Sequence, residues 1–169
     1  MASSKIIYRR SMKLEKRIAV MGDDTFFGEC NTIKYSRIQM CLNALDPNVA
    51  YVIPVPGVVL KTFAILAAMR IPFIIVLPKK GWEKNFCKSD KTFLRRCTRE
   101  AEGVTYLSTD MYSPLDFDKD YKEASEYLMT TCNLFLSLHS GEPKDGLASI
   151  MDDIDRSGPD MHVIISCKA

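Results

Sequence analysis

Six short apolar runs, separated by stretches of helical length, restrict this chain to very few folds. They are RIAVMG (17–22), NVAYVIPVPG (48–57), IPFIIVLP (71–78), GVTYL (103–107), CNLFLSLHSG (132–141) and DMHVIIS (160–166). Most are continuously apolar rather than alternating, the pattern of strands buried on both faces of a parallel sheet. Between the first two, TIKYSRIQMCLNAL places Ile33, Ile38, Cys41, Leu42 and Leu45 on one side of a helix, which Asp46-Pro47 stops. VVLKTFAILAAMR is apolar nearly all round and predicts a deeply buried helix. DKTFLRRCTREAEG, DYKEASEYLMTTC and GLASIMDDIDRSG are amphipathic, the first and last closed by glycine. Strict β-α alternation predicts an α/β, three-layer, Rossmann-like domain. Its sheet is expected to be mainly parallel, of five to six strands, with helices on both faces.

The length of 169 residues suits one domain. Residues 1–16 are expected to form a basic arm or edge segment, and residues 17–169 a single Rossmann-like domain. The arm follows from Lys5, Arg9, Arg10, Lys13, Lys16 and Arg17, which face the single acid Glu15. Over the whole chain 23 basic residues meet 21 acidic ones, a net charge of +2 that argues against nucleic acid as a partner. Six cysteines without a C-x-x-C pair, and two histidines far apart, argue against a metal site. No apolar run approaches the length of a membrane span. Free thiols and the lack of an export signal lead to the expectation of a cytoplasmic protein.

Ligands of doubly wound sheets bind at the carboxyl ends of the strands, so four loops become candidates. MGDDTFFGE offers Gly22 for close backbone approach and Asp23, Asp24 and Thr25 for a ribose hydroxyl, or it is a solvated glycine turn. PVPGVVLKT sets Pro56 and Gly57 before a helix N-terminus that favours an anion. It is not a P-loop, because only Val58 to Leu60 separate Gly57 from Lys61 and the upstream glycine is missing. LPKKGWEKNF joins Trp82 to Lys79, Lys80, Lys84 and Asn85: either a ring-stacking platform with cations for phosphate, or a plug on the sheet end. LHSGEPKDG brings His139, Ser140 and Gly141 to a strand end, then Asp145, Gly146 and Ser149 to a helix start, with Asp145 a good N-cap.

In their order these loops resemble the SLOG superfamily, the Rossmann-like group that includes DprA, the LOG nucleosidases and the YpsA-like proteins. The likeness is greatest to the YpsA-like branch and spans Arg17 to Ser166. It is carried by MGDDTFFG, VIPVPGVVLKTFAILAA, IIVLPKKGWEKNF and the run from MYSPLDF to LHSGEPKDGLAS. Nucleoside deoxyribosyltransferase-like proteins share the last strand-turn-helix. The resemblance implies a nucleotide or nucleotide-derived ligand above the sheet, with Gly22, Gly57, Gly141 and Gly146 as approach points. It also brings departures. The family's G-G-x-x-G turn is reduced to Val55-Pro56-Gly57, and its G-T-A helix start to Gly146-Leu147-Ala148. The glutamate that the N-glycosidases place after that turn is not found.

The leading expectation is therefore a non-catalytic binder of an ADP-ribose-like or cyclic nucleotide signal, acting as sensor or sequestering decoy. It would need no cofactor, and would stack a ring on Trp82 or Phe86 and contact phosphate through Lys79 or Lys84. One alternative is an N-glycosidase or deoxyribosyltransferase-like enzyme using Asp145 or Asp152 as its carboxylate. Another is a protein-interaction module whose cleft is filled by Val58 and Val59. A thiol nucleophile, Cys87 or Cys132 with His139, is the least favoured. A homodimer or higher oligomer is the expected assembly.

Overall fold

The computed structural model of the protein describes residues 15–22, 31–140 and 145–167, with backbone alone at 31–34, 140, 145 and 167. Among the described residues five helices alternate with six strands: β1 (Arg17–Gly22), α1 (Asn31–Leu45), β2 (Val49–Val52), α2 (Val58–Ala68), β3 (Phe73–Leu77), α3 (Lys88–Glu100), β4 (Gly103–Tyr106), α4 (Phe117–Thr131), β5 (Leu134–Ser140), α5 (Asp145–Ser157) and β6 (Met161–Cys167). The strands form one sheet in the order β4-β3-β2-β1-β5-β6, and every neighbouring pair is parallel. The α/β, three-layer Rossmann-like expectation therefore holds, with six strands.

The continuous apolar runs of β1, β2, β3 and β5 lie where both faces are covered, whereas the edge strands β4 and β6 leave Tyr106, Met161 and Ile164 exposed. Ile18, Ala19, Val20 and Met21 of β1 are fully buried, as are Val52, Val76 and Leu136 of the neighbouring strands. Helix α1 packs on α2 and α2 on α3, while α4 packs on α5. Right-handed crossovers account for the split: β1 to β4 step one way across the sheet, and β4 to β5 to β6 step the other. The apolar helix α2 buries Val58, Val59, Leu60, Thr62, Phe63 and Leu66. It ends without glycine. Arg70 adopts φ 58 while its N–H donates to Ala67 O (3.1 Å) and the Ile71 N–H to Leu66 O (2.9 Å), a Schellman closure.

Two elements depart from their sequence patterns. Strand β2 stops at Val52, well short of the apolar run that continues to Gly57, because Pro54 and Pro56 supply no N–H to a ladder. Helix α4 starts at Phe117, three residues before the amphipathic pattern, because a 3-10 turn at Pro114–Asp116 runs straight into it. That early start carries the first turn of α4 onto the carboxyl edge of the sheet.

Candidate functional site at the carboxyl edge

Strand order reverses between β1 and β5, so the carboxyl ends of these two strands flank the crevice where such sheets hold ligands. Gly22 closes β1 opposite Leu138 of β5. The space beside it is already taken: a Cβ at this position would lie 2.5 Å from Leu138 O and 2.7 Å from Val59 Cγ2. Its polar groups are taken as well. The Tyr121 hydroxyl of α4 accepts from Gly22 N (3.1 Å) and donates to Gly22 O (3.0 Å). Gly22 is thus a packing glycine held by Tyr121, with its N–H and C=O both engaged. Gly57 does need to be glycine, for it caps α2 at φ 104, ψ −142. Behind it Val58 and Val59 are buried, and Pro56 is half-buried.

Trp82 is a plug. Only 2% of it is exposed. Its indole N–H donates to Pro54 O (2.7 Å), Phe117 stacks on its ring at 5.2 Å, and Tyr112 packs at 4.7 Å. Phe117 in turn stacks on Tyr121 at 5.7 Å. This aromatic column covers the ends of β2 and β3, so Trp82 offers no free face to a ligand ring. The expected stacking platform is replaced by core packing, since an indole with a buried N–H needs an internal partner. Lys84 and Asn85 are exposed on the 3-10 turn below it (Trp82–Asn85), and Phe86 is half-buried.

Lys79 is committed too. Its Nζ lies 3.1 Å from Asp120 Oδ1 and 4.0 Å from Asp116 Oδ2. The short contact to Asp120 raises the lysine pKa, against the opposing effect of desolvation. Asp120 is only 1% exposed, and neither carboxylate oxygen accepts a hydrogen bond of proper geometry. The lysine contact is therefore an ion pair, and among the described residues Oδ2 has no hydrogen-bond partner. Buried acceptors are nearly always satisfied, so this one marks the edge as chemically unfinished. Sequence reading passed over it, although a signal existed: Asp120 stands four residues before the buried Ala124 and eight before the buried Leu128, on the apolar stripe of α4.

The β5 side supplies the other wall. His139 is buried at the strand end, and Gly146 and Ser149 are exposed on α5. A Cβ on Gly146 would meet Asp118 Oδ1 at 3.7 Å, ordinary contact, so the N-termini of α4 and α5 stand side by side here. Asp152 is exposed and lies seven residues along α5 from Asp145, about 10 Å from the helix start, which takes it away from the crevice. The side chains of Ser140 and Asp145, and the whole of Asp23, Asp24, Thr25 and Gly141, lie outside the described residues.

A second polar constellation has the connectivity of a hydrolase triad. Ser137 Oγ lies 2.8 Å from His162 Nε2, and His162 Nδ1 lies 2.7 Å from Asp155 Oδ1. Ser137, however, is 0% exposed in mid-strand, between Met21 and Ile164. An acyl group has no approach to it, so the relay ties β5, β6 and α5 together rather than cutting a bond. The thiols point the same way. Burial pushes Cys132 up to about 12 and Cys97 up to about 11, which leaves both protonated at neutral pH and unsuited to attack.

Among the described residues no three His, Cys, Asp or Glu side chains are grouped to hold a metal ion, and no helix is long and apolar enough to cross a membrane. No family model matches the chain. No curated protein matches it either.

Proposed function

We propose that the protein binds a nucleotide-derived small molecule, with ADP-ribose-like and cyclic nucleotide signals as the leading classes, in the crevice between the ends of β1 and β5. The observation that carries this reading is the buried Asp120 carboxylate, one oxygen of it without a partner, in the helix turn that also holds the end of β1. A ribose hydroxyl is a neutral donor that would satisfy that oxygen without displacing Lys79; because the oxygen is enclosed, binding requires a neighbouring side chain to move aside. The adjacent starts of α4 and α5 supply amides for a phosphate. The SLOG-like order of loops agrees with this placement. The aromatic column and Val59 leave no room over β2, so the ligand is assigned to the α4–α5 side of the edge.

The test is a thermal-shift screen of the full chain over nucleotides, cyclic dinucleotides and ADP-ribose isomers. A true ligand at a hundred times its Kd adds about 2.7 kcal/mol to stability. Asp120→Asn should abolish the shift while leaving a folded protein. Silence across the panel would remove the reading, and release of free base from any nucleotide would move it to the N-glycosidase class.

One feature favours a protein-interaction module instead. Leu115 is 96% exposed beside the exposed Met111 and Phe117, an apolar rim on the same filled edge. Screen silence combined with self-association lost in Leu115→Ser would establish that second reading.

A further inference from the structure

On the opposite side of α2 from Gly22 lies a groove that the crevice does not use. Val59 faces Gly22, and Lys61, two residues on, points about 200° round the helix. There α2 and α3 part to leave a space of about 560 Å³ lined by Lys61, Lys88, Ser89, Thr92, Phe93 and Arg96. Three of the six lining residues are cations and none is an acid. Asp90, the acid of the first turn of α3, does not line it.

Among the described residues none of the three cations forms an ion pair; those present are Lys79 with Asp116 and Asp120, Arg156 with Asp153, and His162 with Asp155. Surface cations in proteins usually stand among acids of opposite sign. Three like charges round one concavity repel one another and raise a local positive potential that a mobile anion lowers. Lys61 is also positioned: its Nζ sits 4.7 Å from the centroid of the Phe93 ring, which holds the ammonium at the wall. The start of α3 adds to the field. Its N-cap, Cys87, makes no side-chain cap to the first-turn amides, and among the described residues the Ser89 hydroxyl meets the Cys87 thiol at 3.1 Å. Thr92 contributes less, because its hydroxyl donates to Lys88 O.

We propose that this groove is a second, independent anion site that takes a small polyphosphate, a di- or triphosphate group held by Lys61, Lys88 and Arg96. The space is of small-ligand size and opens to solvent, as suits a charged, hydrated ligand. A nucleic-acid strand would instead want a basic stripe running beyond one groove, and a net charge of +2 does not supply it. The site stands whether or not the crevice binds a nucleotide, since the two share no lining residue.

Titration of the ¹⁵N-labelled full chain with pyrophosphate and tripolyphosphate, followed by amide shifts, tests it. Saturable shifts are expected at Lys61 and from Lys88 to Arg96. Tripolyphosphate should bind more tightly than pyrophosphate, and added salt should weaken both. Arg96→Ala and Lys61→Ala should each weaken binding by about tenfold or more, the scale of one charge-assisted contact. Arg95→Ala, which removes an exposed cation of the same helix that does not line the groove, should change affinity by less than about twofold. The proposal fails if no shift saturates by about 10 mM. It fails equally if Arg95→Ala weakens binding as much as Arg96→Ala, or if the shifts gather at Gly22 and Gly146 instead. An oligonucleotide that displaces tripolyphosphate from these residues at far lower concentration would overturn the small-ligand assignment.

Discussion

Replacing Tyr121 by Phe isolates the contact on which the carboxyl edge depends. The ring would keep its stack on Phe117 at 5.7 Å, so only the oxygen is lost. That oxygen serves both polar groups of Gly22, at 3.1 and 3.0 Å, in a fully buried setting. Two ordinary hydrogen bonds are worth about 1 kcal/mol each, and a buried group left dry costs about 1–3 kcal/mol. The sum gives an expected loss of about 3–5 kcal/mol. For a chain of this size each kcal/mol shifts Tm by about 2–4 °C, so the variant should melt roughly 6–20 °C lower. Urea unfolding followed by fluorescence of the sole tryptophan, Trp82, and by far-ultraviolet circular dichroism measures the loss. Coincident curves and an unchanged slope would show that the native state alone was affected. A loss under about 0.5 kcal/mol would mean that other groups or water take over at Gly22, and that Tyr121 does not close β1.

Gly22→Ala drives a methyl into Leu138 O and Val59 Cγ2 and should cost about 1–3 kcal/mol or more; adding Val59→Ala should recover only part, because Leu138 O is backbone, and full recovery would contradict the packing described. Alkylation read by peptide mass spectrometry should modify exposed Cys87 in the native protein, while Cys97 and Cys132 react only after unfolding. Native labelling of Cys132 would be incompatible with burial that pushes its pKa up to about 12. For Lys79 the folded-state pKa is raised above the unfolded one, so its stabilising contribution is full at pH below the unfolded value near 10.5 and declines as pH rises through the folded value. The stability difference between wild type and Lys79→Gln should therefore stay level from neutral pH into mild alkali and shrink above it; a difference that already changes near neutrality would show that another group titrates there.

Much of the architecture was legible from patterns that repeat along the chain. Continuous apolar runs announce double-sided burial, and regular helical gaps announce crossovers, so the all-parallel sheet follows from local information. The candidate site was legible only in position. The carboxyl edge is set by topology, but which side chains fill it depends on contacts across 99 residues, such as Tyr121 on Gly22. Trp82 illustrates the difficulty. A loop tryptophan among lysines suits a ligand platform or a plug equally well, and only the Pro54 carbonyl beneath its N–H decides for the plug. The Ser137–His162–Asp155 relay was hidden for a similar reason: it joins two strands and a helix whose register no local pattern encodes. Asp120 could have been noticed as a charge on an apolar stripe, though its lack of a partner could not.

The proposed ligand site is the edge between β1 and β5, where Asp120 would hold a nucleotide-derived molecule. Amide chemical-shift mapping of the ¹⁵N-labelled protein against ADP-ribose isomers and cyclic dinucleotides tests it most directly. Saturable shifts should converge on Gly22, on Asp120 and Tyr121 of α4, and on Gly146 of α5, and should vanish in Asp120→Asn. Shifts confined to the rest of the molecule, or an Asp120→Asn protein that binds as well as wild type, would contradict it.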